Sequence, residues 1–292
     1  MAGNLDPRAA GARRLENKVC IVTGSGKGIG KATAKRLGEE GGKIVVAERV
    51  DETASATVAL LQENGVEAVK VLADVSTFAG AQQLMKDALA AWGRIDVLVN
   101  NVGGTIWVQP YHKYTENQVT LELERTLNPT MWCCLAVLPI MMEQGFGSIV
   151  NLGSQSPRGL HRVPYAVGKG GIFALTKVLA MEYGSYGIRI NTVSPGGTQI
   201  SDRVTPRQLI RPGVMADELP EDEAKTYQAQ MIEDIRNQQS IKRSGLPEEQ
   251  ASTIVFLASD EARWISGVTL PVDAGLLAAT PLAMYPYLKD PE

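Results

Sequence analysis

Short β-branched runs alternate with amphipathic segments along almost the whole chain, and this alternation constrains the fold more than any other feature. Parallel strands need helical crossovers, so the pattern predicts an α/β fold with a doubly wound parallel sheet. The predicted strands are Val19–Thr23, Lys43–Ala47, Ala68–Leu72, Val97–Asn100, Ser148–Leu152, Arg189–Val193 and Thr269–Val272. Predicted helices between them include Gly30–Gly41, Ala79–Trp92, Thr120–Gln144, Tyr165–Tyr183 and Glu248–Ser259.

The domain organisation follows from the same pattern. At 292 residues the chain fits one large α/β domain better than two small ones, and we predict this domain over residues 17–279. Residues 1–16 and 280–292 are predicted as tails. One polar, proline-bearing insertion, residues 197–239, interrupts the alternation just after a strand. Long insertions of this kind are usually functional, so we predict a lid over a binding site.

Composition and charge argue against several classes of function. With 29 basic and 32 acidic residues, the net charge of −3 gives no electrostatic basis for binding nucleic acid or an anionic membrane. The apolar runs have the length of strands, and the N-terminal segment lacks the apolar core of a secretory signal. The cysteines form no CxxC motif, and two histidines are too few for a typical zinc site. We therefore expect a cytoplasmic protein without a metal centre.

A glycine-rich turn follows the first predicted strand and begins the first helix. Glycine there permits a tight turn and lets the backbone approach a pyrophosphate at the helix N-terminus. The spacing is GxxxGxG rather than the commoner GxGxxG, so a flexible turn without a nucleotide is the alternative. The candidate cofactor contacts in this turn are Gly24, Lys27, Gly28, Ile29 and Gly30.

Acidic residues end the next two strands and bear on the choice of cofactor. Glu48 ends the second strand, where a carboxylate can bind ribose hydroxyls and repel a 2′-phosphate. Asp74 follows the third strand, where a carboxylate can face adenine; a solvated acid is the alternative for both. Lys27 and Arg49 could instead reach a 2′-phosphate. Because Glu48 is closest to the hydroxyl concerned, we predict NAD as the cofactor, with NADP as the alternative.

Tyr165 and Lys169 carry the predicted chemistry. They stand four residues apart in a predicted helix, so their side chains share one face. A free phenol has a pKa near ~10, too high for a base at neutral pH, and a nearby cation lowers it. The pair alone often arises by chance. Behind a nucleotide-binding turn in this order, it predicts an enzyme in which Tyr165 transfers a proton.

The order of these motifs resembles the short-chain dehydrogenase/reductase family over about residues 17–275. That resemblance implies a single-domain Rossmann fold with a seven-stranded sheet, a small-molecule substrate and, usually, a homotetramer. It also implies that Ser154 orients the substrate oxygen, Tyr165 transfers the proton and Lys169 binds the nicotinamide ribose. Further cofactor contacts implied by the matching motifs are Val75, Asn101, Gly103, Pro195, Gly196 and Thr198; Arg49 is a candidate only from its place beside Glu48.

Two departures from the family pattern concern the proton relay and the serine. Thr126 stands where many members have a helix asparagine that holds a water beside the lysine, and Asn128 is two residues away. A relay through Thr126 and one through water alone both stay open. Ser154 precedes Tyr165 by eleven residues, where thirteen is more usual. We prefer Ser154 to Ser156 because it lies just past the strand.

Three less common strings resemble the dehydrogenases of carboxylated cis-dihydrodiols: NVGGTIW at 101–107, PTMWCC at 129–134 and RGLHRVPY at 158–165. A carboxylated substrate needs a cation, and the planar fork of arginine matches a carboxylate. Arg158 and Arg162, before Tyr165, and Arg203, in the lid, are the candidate clamps; solvated arginines are the alternative. Trp107 could cover a flat ring or simply pack within its loop.

We therefore predict NAD-dependent oxidation of a carboxylated cis-dihydrodiol to a catechol, with or without decarboxylation, in aromatic-acid degradation. The first alternative is a generic NADPH-dependent carbonyl reductase of the 3-oxoacyl type, which would use the same residues. The second is a nucleotide-sensing protein without catalysis. The predicted helices Thr120–Gln144 and Tyr165–Tyr183 are apolar over more surface than one sheet face can bury, which agrees with a homotetramer.

Overall fold

A computed structural model describes residues 13–155, 160–200 and 221–278 and contains a seven-stranded parallel sheet flanked by helices. The strands are β1 Val19–Thr23, β2 Lys43–Glu48, β3 Ala68–Leu72, β4 Val97–Asn100, β5 Gly147–Leu152, β6 Ile188–Pro195 and β7 Thr269–Val272. The helices are α1 Gly28–Glu39, α2 Asp51–Glu63, α3 Phe78–Trp92, α4 Glu116–Thr126, α5 Asn128–Gln144, α6 Val163–Tyr183, α7 Glu221–Gln238 and α8 Pro247–Ala258. The spatial strand order is β3-β2-β1-β4-β5-β6-β7. The predicted doubly wound Rossmann-like sheet is confirmed.

One predicted helix is wrong as a single element. In place of Thr120–Gln144, the structure has α4 and α5 separated by Leu127. Pro129 stands at the start of α5 and has no N–H, so it cannot continue the hydrogen-bond ladder from α4. The prediction followed the apolar pattern through this proline. Helix α2 was not predicted, because only Ala54, Thr57 and Leu61 form its buried stripe.

The boundaries of the domain differ from the predicted ones at its start. Leu15, placed in the predicted tail, is 1% exposed and belongs to the core. Arg14 forms an ion pair of 2.6 Å with the buried Glu40. The packed domain thus includes residues 13–16. Residues 201–220 of the predicted lid and all of the predicted C-terminal tail lie outside the described residues.

The core consists of two apolar layers, one on each side of the sheet. In β1, Cys20 and Val22 face the layer that contains α1 and α8, whereas Val19 and Ile21 face the layer with α3 and α5. Strands buried on both faces are apolar at every position, as expected of a parallel sheet. All three cysteines are buried as free thiols.

The carboxyl ends of the strands form the edge on which the predicted site residues converge. β1 pairs with β2 on one side and with β4 on the other, so the strand order reverses next to β1. In open parallel sheets, ligands bind in the crevice beside such a switch point. No helix of the described residues is long and apolar enough to cross a membrane. Within the same ranges, no cluster of three or more His, Cys, Asp or Glu side chains is suited to a metal ion.

Candidate active site

The glycine-rich turn between β1 and α1 has a conformation that other residues would strain. Gly24 and Gly28 have φ angles of +64° and +53°, in the left-handed region. A Cβ added at Gly30 would overlap the carbonyl oxygen of Gly24. Asn101, which follows β4, donates from Nδ2 to the carbonyls of Thr23 (2.9 Å) and Gly24 (3.1 Å) and so fixes the turn. The turn is followed directly by the N-terminus of α1, whose backbone N–H groups form the kind of site that binds an anion.

The carboxylate of Glu48 is held at the end of β2 by backbone groups. Its Oε2 accepts from Gly26 N at 3.2 Å, and its Oε1 accepts from Arg49 N at 2.7 Å. A Cβ added at Gly26 would lie 2.9 Å from Glu48 Oε2 and 2.7 Å from Thr53 Oγ1. Gly26 is therefore a site residue that the sequence analysis missed, although it stands in the glycine run. Its closeness to Glu48 is decided by the pairing of β1 with β2.

The carboxylate of Asp74 is fixed in a similar way past the end of β3. Its Oδ1 accepts hydrogen bonds from the backbone N (3.1 Å) and Oγ (2.6 Å) of Ser76. Val75, between them, is buried against the sheet. Glu48 and Asp74 thus stand in fixed orientations at the ends of neighbouring strands.

Helix α6 buries Tyr165 and Lys169 together beside the end of β5. Their side chains are only 9% and 3% exposed, and Lys169 Nζ lies 5.9 Å from the centroid of the Tyr165 ring. Lys169 Nζ donates to the carbonyl of Leu152, the last residue of β5, at 2.6 Å. Burial, and secondly the positive charge of Arg125, lowers the pKa of Lys169 to about 7. The predicted pairing of these two side chains is present.

The segment after β5 carries Ser154 to the same place. Gly153 N donates to Val193 O (2.8 Å) and Gln155 N donates to Pro195 O (3.1 Å), so β6 holds the backbone on both sides of Ser154. Ser154 is buried and stands two residues after the carbonyl that binds Lys169. Ser156, Arg158 and Arg203 lie outside the described residues.

Thr126 ends α4 next to the Tyr165–Lys169 pair. Its methyl group lies 2.9 Å from the position that a Cβ on Gly168 would occupy, so α4 and α6 are in close contact there. A Cβ added at Gly103 would be 3.1 Å from Lys169 Nζ and 4.0 Å from Thr126 O. Thr126 Oγ1 is buried and has no hydrogen-bond partner among the described residues. The structure therefore brings Thr126, Gly103 and Lys169 together.

The segment after β6 borders the glycine-rich turn. Gly196 passes so close to the backbone of Asp273 that an added Cβ would lie 2.6 Å from Asp273 Cα. Thr198 Oγ1 donates to Gly196 O at 3.2 Å. Ile200 lies 3.2 Å from the position of a Cβ on Gly28. The predicted cofactor contacts Pro195, Gly196 and Thr198 therefore lie on the segment that leads to Gly28.

The loop after β4 is held by a buried carboxylate on α4, Glu122. Its oxygens accept from Ile106 N (3.1 and 3.0 Å) and Trp107 N (3.2 Å), and its side chain is fully buried. Burial raises the pKa of Glu122 to about 7 even though these hydrogen bonds and Arg162 lower it. The single hydroxyl proton of Tyr114 is shared between Trp107 O (2.9 Å) and His161 O (3.3 Å), which ties this loop to the segment before α6.

The predicted substrate residues in the described ranges are buried. Arg162 is 7% exposed at the start of α6, and its Cζ lies 5.6 Å from the centroid of the Tyr165 ring. Trp107 is 7% exposed and packs with Ile106 and Leu121, so it packs within its loop, the alternative given above.

The described part of the predicted lid contacts segments that border this side of the site. The ring of Tyr227, on α7, lies 5.1 Å from that of His161, and its hydroxyl is 3.4 Å from Lys113 Nζ. Helix α7 thus rests on the segment before α6 and on the end of the loop after β4.

A family model described as short chain dehydrogenase matches residues 18–208. This chain belongs to the short-chain dehydrogenase family. Members are oxidoreductases that act on hydroxyl groups with a nicotinamide dinucleotide. The residues present fit that cofactor: a tight turn that tolerates no Cβ at Gly30 begins α1, where a pyrophosphate binds in such folds, and fixed carboxylates follow two strand ends.

Similar family members have different names. A 1,6-dihydroxycyclohexa-2,4-diene-1-carboxylate dehydrogenase of Acinetobacter baylyi is 42% identical over 263 residues, which cover 90% of this chain and 97% of that protein. The enzyme of the same name from Pseudomonas putida is 40% identical over 266 residues, covering 90% and 94%. A 7alpha-hydroxysteroid dehydrogenase of Bacteroides fragilis is 34% identical over 277 residues, covering 92% and 97%.

Solved structures of family members superpose over most of the chain. A short-chain dehydrogenase/reductase from Burkholderia xenovorans has a TM-score of 0.78 and 32% identity, covering 91% of this chain and 99% of that one. A 7α-hydroxysteroid dehydrogenase in complex with NADH and 7-oxo glycochenodeoxycholic acid has a TM-score of 0.77 and 26% identity, covering 90% and 96%.

Proposed function

We propose that this short-chain dehydrogenase oxidises a carboxylated cis-dihydrodiol with NAD⁺ and gives a catechol. The observation that carries the proposal is the buried guanidinium of Arg162, 5.6 Å from the Tyr165 ring. A cation buried beside the proton acceptor suits a substrate whose carboxylate is next to the reacting carbon. The identities of 42% and 40% to two dehydrogenases of such a diol support the same substrate class.

NAD is the proposed cofactor because of the way Glu48 is held. Its two oxygens, fixed by Gly26 N and Arg49 N, keep lone pairs that can accept hydrogen bonds from ribose hydroxyls. A 2′-phosphate at the same place would meet a like charge. Arg49 next to Glu48 is the observation that favours NADP, and with it the generic carbonyl reductase. When bound, the nicotinamide ring supplies the hydride acceptor.

In the proposed reaction, Ser154 holds the oxygen of the secondary hydroxyl and the Tyr165 phenolate accepts its proton. Lys169, anchored on Leu152 O, stabilises the phenolate with its ammonium and binds the nicotinamide ribose. The proton then leaves past Lys169 toward Thr126, whose buried hydroxyl has no partner among the described residues. Arg162 orients the substrate carboxylate.

The proposed conversion of the diol to the catechol needs no reactant besides the nicotinamide cofactor. Removal of a hydride from carbon and a proton from oxygen converts the secondary alcohol to a ketone. Because the neighbouring carbon bears the carboxylate, the ketone is a β-keto acid. Loss of carbon dioxide and a proton shift then give the aromatic catechol. The protein needs only to position diol and cofactor and to stabilise the phenolate.

The test compares matched cyclohexadiene cis-diols with and without a carboxylate, using NAD⁺ and NADP⁺. We expect the acid with NAD⁺ to have the highest kcat/KM. Arg162→Met should lower kcat/KM for the acid by about 30- to 1,000-fold, because a charged hydrogen-bond pair is lost in a desolvated site. The neutral diol should change little, which also shows that the variant folds.

Arg162→Lys is the matched variant, because it keeps the charge and loses the planar fork; it should recover only part of the activity on the acid. A neutral diol that is the better substrate of the wild type would refute the carboxylate assignment. Faster turnover of 3-oxoacyl substrates with NADPH than of any diol would establish the generic reductase instead.

A further inference from the structure

Arg125 is an arginine on the inward face of α4, one residue before Thr126. Gln118, Leu121 and Glu122 precede it at helical spacing and are buried, and Arg125 itself is partly buried. Its Nε atom is shielded from solvent. Arginines usually extend into water, so one on this face is unusual and was missed by the sequence analysis.

Charged groups from several elements surround Arg125. Burial, followed by the charge of Arg49, lowers its pKa to about 10, while the carboxylates of Glu48 and Asp74 act in the opposite direction. Its charge in turn acts on Lys169. Thr126, the next residue on α4, lies against Gly103 and Gly168 beside Lys169, so Arg125 stands on a helix turn that borders the site, within reach of the charges at the ends of β2 and β3.

Despite these neighbours, Arg125 makes no hydrogen bond and no ion pair with any residue in the described ranges. A shielded guanidinium N–H without an acceptor is unfavourable unless a ligand supplies the partner. The face of a guanidinium stacks on aromatic rings, and its edge donates in one plane. A nucleoside offers both kinds of partner: a flat base for the face of the guanidinium, and ribose oxygens that can accept hydrogen bonds from its edge.

We propose that Arg125 binds the adenosine half of the dinucleotide, with its guanidinium stacked on the adenine ring. Glu48, Arg49 and Asp74, its neighbours, stand at the ends of β2 and β3, where the adenosine lies in a Rossmann sheet. The pyrophosphate belongs at the N-terminus of α1 instead. The inference rests on the family's dinucleotide and not on the proposed diol substrate. The role of Arg125 and the identity of the substrate can therefore be tested independently.

The test is calorimetric titration of the cofactor-free enzyme with cofactor fragments. For Arg125→Met we expect about 2- to 30-fold weaker binding of 5′-AMP, adenosine and ADP-ribose, the range for loss of a cation–π contact. Binding of nicotinamide mononucleotide should be unchanged. Arg125→Lys keeps the charge without the plane and should lose most of the same affinity.

Arg263→Met is the control variant. Arg263 is exposed, and the segment that follows it pairs with Ile190 near the amino end of β6, opposite the site. Its fragment affinities should equal those of the wild type. Far-UV circular dichroism and thermal unfolding establish that each variant is folded before titration.

Three results would overturn the proposal. The first is an unchanged 5′-AMP affinity in folded Arg125→Met; a simultaneous shift in the pH dependence of kcat would then assign Arg125 to Lys169 instead. The second is weaker binding of 5′-AMP with unchanged binding of adenosine, which would make the guanidinium a phosphate ligand. The third is equal loss for 5′-AMP and nicotinamide mononucleotide, which would indicate a general change of the site.

Discussion

The two sides of the active site are fixed by different kinds of interaction. On the cofactor side, backbone amides hold the carboxylate that follows β2's last buried residues: Glu48 accepts from Gly26 N and Arg49 N. On the substrate side, side chains hold the backbone: Glu122 accepts from Ile106 N and Trp107 N. The first side depends on glycines that let segments approach. The second depends on an ionisable group that is fully buried.

This difference predicts that the two sides of the active site respond differently to pH and to added side chains. Backbone amides do not titrate, so the geometry of the cofactor side should be stable over a wide pH range and sensitive to any added side chain. The substrate side should tolerate small changes of volume and respond to pH, since the pKa of Glu122 is raised to about 7.

The largest effect is expected at Tyr165, which lies between the two sides. Tyr165→Phe should lower kcat by about 100- to 10,000-fold, the usual contribution of a proton-transfer group. Binding of NADH, measured by fluorescence, should stay close to the wild type, because the phenol contacts little of the cofactor. Activity within tenfold of the wild type would show that another group accepts the proton. Lys169→Ala should reduce both activity and cofactor binding.

The second-largest effect is expected at Gly30, because the turn on the cofactor side has no room for a side chain there. A Cβ at Gly30 overlaps Gly24 O and lies 2.6 Å from Asn101 Nδ2, so Gly30→Ala should displace the turn. We expect at least tenfold weaker NAD⁺ binding in calorimetry. Gly184→Ala is the matched control, because nothing lies within 4 Å of its added Cβ. Equal affinities for the two variants would refute the account of the turn.

The smallest effect is expected in the pH dependence of stability, through the buried Glu122 on the substrate side. Because the pKa of Glu122 is raised from 4.5 to about 7, the folded state binds more protons than the unfolded state within that interval. This contribution to the free energy of unfolding is present below pH 4.5 and is lost as the pH rises through about 7. Glu122→Gln should remove it and flatten the profile measured by urea unfolding.

A second substitution separates charge from hydrogen bonding at the same position. Glu122→Leu leaves Ile106 N and Trp107 N without their acceptor and should be less stable than the glutamine variant at every pH, by about 1–3 kcal/mol. Parallel profiles for the wild type and Glu122→Gln would mean that Glu122 does not titrate in this interval.

Much of the fold could be predicted because its signals are local. Buried parallel strands are apolar at most positions, and four of the seven predicted strands have the bounds found in the structure: Val19–Thr23, Ala68–Leu72, Val97–Asn100 and Thr269–Val272. The break between α4 and α5 was missed because the apolar pattern does not change there. The separation of α4 from α5 follows from Pro129, but the hydrophobic pattern continues through it.

Sequence spacing alone placed Tyr165 and Lys169 on one face of a helix and located the glycine turn, because both depend on residues a few positions apart. Only the tertiary structure decided the surroundings of Gly26, Glu122 and Arg125. Gly26 meets Glu48 across 22 residues, and Glu122 meets Ile106 across 16. In each case strand pairing or helix packing brings distant residues together and removes water, and burial then sets their charge and partners.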